Sequence, residues 1–164
     1  MAEHPAPALL IALEQSGLGL AIRQSVWAYP AANVTHILAL TVFAGSVVVM
    51  DLRMLGAFRE TLPSSVITPA RRAAMIALAI LTASGLVLFT AEASHVAMNT
   101  VFQIKLALIA FGIVNALVVQ RSLGEMLTKT PAMTTLPTRF RVAALLSLAT
   151  WFSVAGVGRF IAYL

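Results

Sequence analysis

The sequence predicts an all-α integral membrane protein: a four-transmembrane-helix bundle with an N-terminal interfacial amphipathic segment. Sixty per cent of its 164 residues are hydrophobic and 10% are charged, whereas a soluble domain carries about 25% charged residues. The charged residues collect between four long apolar stretches, each close to the roughly 20 residues that cross a bilayer as a helix. The formal net charge of +5 does not indicate nucleic acid as a partner, because the basic residues flank apolar stretches and form no soluble basic face.

Residues 1–30 are predicted to form a tail and an interfacial helix ahead of the bundle. The stretch 7–27 is apolar but interrupted by polar residues, which indicates one or two short helices at the membrane surface. Trp27 and Tyr29 suit a membrane–water boundary, and Pro30 then interrupts the chain. The N-terminus lacks the basic region that begins a cleaved signal peptide.

The bundle itself is predicted over residues 31–164. Thr68 and Pro69 supply a cap and a first helical residue for the second span. The prolines and threonines of TKTPAMTTLPT predict a loop between the third and fourth spans. The four spans are expected at about 33–55, 70–93, 100–120 and 139–164.

The distribution of basic residues predicts the orientation of the bundle. The first–second and third–fourth connections are rich in arginine and lysine, whereas the AEASHVAMNT connection contains neither. The positive-inside rule then places both basic loops in the cytoplasm. The sequence therefore predicts a multi-pass protein of the bacterial inner (plasma) membrane with its N-terminus and C-terminus outside.

Three polar residues are expected at one depth near the outer ends of their spans: His36, Lys105 and Arg159. They lie roughly 22, 24 and 27 Å from the cytoplasmic ends of their helices, calculated from the helical rise. Taken singly, the two cations are explained by snorkelling to the interface, and the histidine by a hydrogen-bonded place in the core. Their common depth favours a shared polar site, because ionisable residues in membranes usually face the bundle interior or a polar cavity.

Haem b fits such a site, because neutral imidazole ligates iron and the two cations can pair with the propionates. We expect His36 to be an axial ligand and metal-binding residue, with Lys105 and Arg159 as cofactor-binding residues. Along a continuous helix, His95 would lie roughly 34 Å from Arg72, above the level of His36. It is therefore a second candidate ligand if its connection folds back over the bundle; a surface-loop position is the alternative. Met98 is a weaker candidate. The lack of cysteine excludes c-type haem attachment and thiolate metal sites.

Small residues offer room for a porphyrin to approach the helices, although such residues more often serve ordinary packing between membrane helices. They are Ala39, Ala44, Gly45, Ser84, Gly85, Gly112, Gly156 and Gly158.

The other polar and aromatic residues of the spans have structural interpretations. Asp51 and Arg53 are expected to form a lock at the interface, paired with each other or with the second basic loop; a proton or docking role is the alternative. Asn115 predicts an interhelical hydrogen bond, and Trp151 predicts packing or a cofactor contact. Glu92 is a candidate partner for the cations.

Three segments of the sequence resemble an uncharacterised bacterial four-helix inner-membrane family, a domain of unknown function. They are WAYPAANVTHILALTVFAGSVVVMDLRMLG, FQIKLALIAFGIVNAL and GRFIAYL. More distantly, the chain is similar to the copper-resistance D and membrane protoporphyrinogen oxidase families. The oxidase resemblance implies haem or porphyrin binding through a histidine placed as His36 is.

The sequence therefore predicts a small haem b-binding membrane protein that transfers electrons at the outer face of the inner membrane. The alternatives are a cofactor-free membrane subunit or anchor of a larger complex, or a small-molecule or ion transporter. The lipid bilayer is the expected partner, together with a redox partner or a partner membrane subunit, and the apolar helix faces permit a homodimer. No catalytic residue set is visible, so the sequence leaves enzyme activity undecided.

Overall fold

The computed structural model describes the backbone of residues 6–160 and their side chains except those of residues 128, 159 and 160. Over this range the chain is helical, with no strand. Four of the helices are long and apolar enough to cross a membrane, which confirms the predicted all-α membrane fold. The helices are α1 (Ala8–Glu14), α2 (Gly17–Gln24), α3 (Ala28–Leu55), α4 (Pro63–Ala91), α5 (Ala93–Met98), α6 (Thr100–Lys129) and α7 (Thr138–Phe160).

The four long helices form an open bundle with one weak side. Helix α3 packs most extensively against α4 and also contacts α7, and α7 packs along α6. In contrast, α4 and α6 make few contacts with each other. The helices therefore follow the order α4–α3–α7–α6, and a gap separates the two outermost helices over much of their length.

The spans begin earlier than the proline positions predict. Pro30 lies in the first turn of α3. The N–H that proline lacks would have no acceptor within the helix at this position. Helix α4 begins at Pro63, which occupies the first helical turn, and Pro69 lies inside the helix. Both prolines suit the first turn of a helix, and α4 begins at the earlier one, Pro63.

The end of the bundle that carries the α3–α4 and α6–α7 loops, the basic end, is closed by apolar packing. Leu136 and Phe140 are buried in one cluster with Met54, Ile67 and Leu123. The two loops also join directly, since the backbone N–H of Met133 donates to the carbonyl of Arg59 at 2.7 Å. This seal fixes the relative positions of the four long helices at the basic end.

The N-terminal helices are attached to the opposite end of the bundle, as the predicted interfacial segment requires. Arg23 pairs with Glu14 at 3.0 Å, which explains one cation that lies outside the basic loops. The backbone N–H of Ser94 donates to Glu14 at 3.0 Å, and its hydroxyl donates to the same carboxylate oxygen. The hydrogen bonds from Ser94, with help from Arg23, hold the pKa of Glu14 below its usual value.

Candidate functional site

His36 lies in the outer half of α3, and α4 holds its ring. The residue is half-buried, and its Nδ1 lies 2.9 Å from Oγ of Ser84. Ser84 is buried, and its hydroxyl donates to the carbonyl of Ile80 at 2.7 Å, with Leu81 as a longer alternative acceptor at 3.3 Å. The imidazole is therefore held by a side chain that is itself fixed to the backbone of α4.

This chain of hydrogen bonds assigns the tautomer of His36. A serine hydroxyl has one proton, and Ser84 donates it to its own helix. Nδ1 of His36 must then be the donor, so that Nε2 of the neutral ring carries a lone pair. Among residues 6–160, the ring's other hydrogen-bonding contact is with the backbone of Leu81, which is also on α4. Metal-ligating histidines commonly have this arrangement, in which the second ring N–H is held by an oxygen acceptor.

Gly85 allows the His36 ring to approach α4 closely. A Cβ atom at this position would lie 3.3 Å from Cε1 and 3.7 Å from Nδ1 of His36. That distance is tight for a carbon contact, so the glycine gives the ring its space. The Nδ1–Cε1 edge of the imidazole consequently faces α4.

Lys105 reaches the same level from α6. Its side chain is half-buried and lies along α7, with Nζ 3.6 Å from the position of a Cβ on Gly158. It is close enough to His36 for a direct electrostatic interaction. Arg159 follows Gly158 in the last turn of α7, but its side chain lies outside the described part of the structure.

The remaining residues predicted for this site lie apart from His36. His95 is exposed on the short helix α5, and no described contact joins it to His36. Met98 is also exposed. Glu92 is exposed as well, and it interacts electrostatically with Tyr29 at the start of α3. Of the predicted residues, Lys105 is therefore the one that acts electrostatically on His36, and the second axial ligand stays a prediction.

An aromatic layer lies below this site, toward the middle of the bundle. Phe43 is buried and contacts Trp151 edge-on, with ring centroids 4.6 Å apart. A Cβ on Gly112 would lie only 2.9 Å from Cζ2 of Trp151, so the glycine makes room for the indole. These three residues connect α3, α7 and α6, which agrees with the predicted packing role of Trp151. Gly112 has the specific role of leaving space for the indole.

Asp51 and Arg53 do not form the lock that the sequence predicts. Both are buried, but residues two apart on a helix do not face each other. Nη2 of Arg53 donates instead to the carbonyl of Thr61 at 2.9 Å. Asp51 instead interacts with Ser147 of α7, although among residues 6–160 no donor meets hydrogen-bond geometry at either of its oxygens. The predicted interhelical bond of Asn115 is present, because its Nδ2 donates to the carbonyl of Ala143 at 3.0 Å.

The sequence interpretation missed the role of Ser84, which it treated only as a small residue. No local pattern links Ser84 to a histidine 48 positions earlier. Phe43 was also missed, although a signal was present. It follows His36 by seven residues, which is close to two helical turns and places both residues on one side of α3.

The fold and this site define a multi-pass helical membrane protein with polar side chains enclosed in its bundle. The chain belongs to the Family of unknown function (DUF6644), whose model matches residues 14–164. The predicted resemblance to an uncharacterised four-helix membrane family is thereby confirmed. No curated protein and no solved structure matches the chain, and the resemblance to the copper-resistance D and protoporphyrinogen oxidase families stays a prediction.

Proposed function

We propose that this protein binds haem b through Nε2 of His36 and transfers electrons near the outer end of the bundle. The observation that carries the proposal is the hydrogen bond between Nδ1 of His36 and Oγ of Ser84. It leaves Nε2 as a lone-pair donor and fixes the orientation of the ring. When bound, haem b supplies one-electron exchange at its iron.

The protein's own residues would have three tasks in this function. Ser84 holds the imidazole in the tautomer that can donate to a metal, and Gly85 keeps the ring close to α4. Lys105 places a cation beside the site, where it would pair with a propionate. Arg159 is proposed for the same task. The partner would be a redox protein or membrane subunit that docks at this end.

A reduced-minus-oxidised absorption spectrum of the detergent-purified protein, from cells supplied with haem, tests this proposal. The wild-type protein should show a Soret band and an α-band, and His36→Ala should abolish both because the ligand is lost. His4→Ala is the matched control and should leave the spectrum unchanged. If His95→Ala removes the sharp α-band but keeps the Soret band, His95 is the second ligand. A colourless wild-type protein would overturn the proposal.

A second variant pair separates propionate pairing from general charge. Lys105→Met should lower the amount of haem retained during purification, because a propionate loses its cation. Lys129→Met removes a lysine at the basic end and should retain wild-type haem. Equal retention in the two variants would rule out Lys105 as a propionate partner.

The proposed orientation has the basic loops in the cytoplasm of a bacterium and both termini outside. Because the chain has no cysteine, single cysteines report their side of the membrane without background. Glu92→Cys, at the end opposite the basic loops, should react with an impermeant maleimide on intact cells. Thr134→Cys, in the α6–α7 loop, should react only after lysis. The reverse labelling pattern would invert the topology.

A further inference from the structure

A second site lies in the half of the bundle nearer the basic end, below the aromatic layer of Phe43 and Trp151. Here α3, α4, α6 and α7 line a partly open cavity of about 340 Å³. This volume lies within the range of about 300–1,000 Å³ found for small-molecule sites. Most of the lining is aliphatic, aromatic or methionine side chain, and the proposed haem function uses none of it.

Asp51 lines this cavity and is the most informative residue in it. Its side chain is 0% exposed. Ser147 interacts with the carboxyl group, but among residues 6–160 no donor completes a hydrogen bond to either oxygen. Nε of Arg71, which also lines the cavity, is buried without a partner in the same range. Such groups are costly to bury unpaired, and in membranes they mark functional cavities.

The cavity opens toward the lipid. Met75 of α4 and Leu117 of α6 both line it, and each side chain is 56% exposed. They lie on the two helices that make few contacts with each other, so the gap between α4 and α6 leads from the hydrocarbon layer into the cavity. An occupant that uses this route must be soluble in lipid.

The polar groups restrict the head of that occupant. Asp51 would attract an organic cation, but the Arg71 guanidinium in the same lining disfavours one. A neutral head suits both groups if one of its carbonyl oxygens accepts from the protonated Asp51 carboxyl group, or one of its hydroxyl groups donates to the carboxylate, while another oxygen accepts from Nε–H of Arg71. The ring of Trp151 borders the cavity, and it favours a flat ring as the body between those oxygens.

We propose that this cavity binds a lipid-soluble quinone or the corresponding quinol. Its ring packs toward Trp151, and its oxygens face Asp51 and Arg71. The isoprenoid or alkyl tail leaves between Met75 and Leu117 into the lipid. This inference concerns binding alone and does not depend on haem, because His36 lies on the other side of the aromatic layer.

Tryptophan fluorescence tests the proposal, because the chain has two tryptophans and quinones quench their emission. In a Trp27→Phe background, Trp151 is the sole reporter and borders the cavity. Titration with decylubiquinone should quench it along a saturable curve. The matched reporter, Trp151→Phe, keeps only Trp27, which is 82% exposed. It should show only the linear quenching caused by quinone dissolved in the micelle.

Cavity variants then identify the binding groups. Asp51→Leu should weaken saturable quenching by about tenfold or more, since a hydrogen bond to a carboxyl group is lost. Arg71→Gln should weaken it by a similar factor and serves as a second test if Asp51→Leu fails to fold. Ala116→Phe, which fills the cavity, should abolish it. His36→Ala should leave it unchanged, whatever the haem spectrum shows.

Two outcomes would overturn the proposal. Linear quenching of both Trp151 and Trp27 would mean that quinone only partitions into the micelle and that lipid chains fill the cavity. Saturable quenching unaffected by Asp51→Leu and Arg71→Gln would mean an apolar site without head-group recognition. Circular dichroism and size-exclusion chromatography identify variants that have lost the fold.

Discussion

His36 and Asp51 lie on one helix, roughly 22 Å apart along its axis, yet their surroundings differ completely. The histidine is half-buried, and its Nδ1 is held by Ser84 of the neighbouring helix. The aspartate is fully buried and has no hydrogen-bond partner among the described residues. Phe43 and Trp151 separate the two levels.

The two levels differ in how far the protein's own residues supply hydrogen-bond partners. At the His36 level, the protein satisfies one ring nitrogen and leaves the other free, as in a metal-binding histidine. At the Asp51 level, the protein provides a cavity and a carboxyl group that no described donor fully hydrogen-bonds. The missing hydrogen bonds must come from an occupant or be tolerated at a cost. The following variants test whether this contrast is correct.

The largest stability effect is expected at Asp51. Asp51→Leu should raise the free energy of unfolding by about 1–3 kcal/mol, because it removes a buried polar group that lacks a partner. Unfolding in sodium dodecyl sulfate, followed by circular dichroism, measures the change in the ligand-free protein. Glu92→Leu, at an exposed position, is the control and should have little effect. A loss of stability in Asp51→Leu would show that the carboxyl group has a partner.

Gly112 tests the aromatic layer between the two levels. Gly112→Ala should lower the free energy of unfolding by about 1 kcal/mol, because the new methyl group collides with Trp151. It should also shift the emission of that indole. Gly124 is on the same helix with open space around it, so Gly124→Ala should be neutral or stabilising. Equal behaviour of the two variants would contradict the close contact at Gly112.

A variant of Ser84 tests the His36 level, with a smaller expected change in the free energy of unfolding. Ser84→Ala should cost about 0.6 kcal/mol, the average for an interhelical hydrogen bond in a membrane protein. Ser153 makes the same kind of intrahelical bond, to Ala149, so Ser153→Ala isolates the contribution of His36. Nitrogen chemical shifts of His36 should report a changed tautomer balance in Ser84→Ala alone. Unchanged shifts would contradict the assigned role of the serine.

The smallest effect is expected at Glu14, where the N-terminal helices attach. Its folded-state pKa lies below the ordinary value of 4.5. Its contribution to docking is therefore fully present above that value and is lost as the pH falls through the folded pKa. Hydrogen exchange in α1 and α5, corrected for intrinsic rates, should show weaker protection at low pH. Glu14→Gln should show weak protection at every pH, and a pH dependence that persists in it would implicate another group.

The spans and loops could be predicted because their signals are local. Length and hydropathy identify a membrane helix without reference to its neighbours. The helical rise likewise places His36 and Lys105 at similar depths, and the structure brings them within electrostatic reach. The start of α4 was misplaced because Pro63 and Pro69 both fit a first turn, and the local sequence does not choose between them.

Hydropathy and charge along the chain are enough to predict the number of long apolar helices, the basic and non-basic connections, and which polar residues lie inside the spans. Packing between the helices selects which of those residues find a partner. Ser84 meets a histidine 48 positions away and Ser94 meets a glutamate 80 positions away, while Asp51 lies by Ser147 without a completed hydrogen bond in the described range. The reason is physical: hydropathy and rise fix depth along a helix axis, but only packing fixes the direction in which a side chain points.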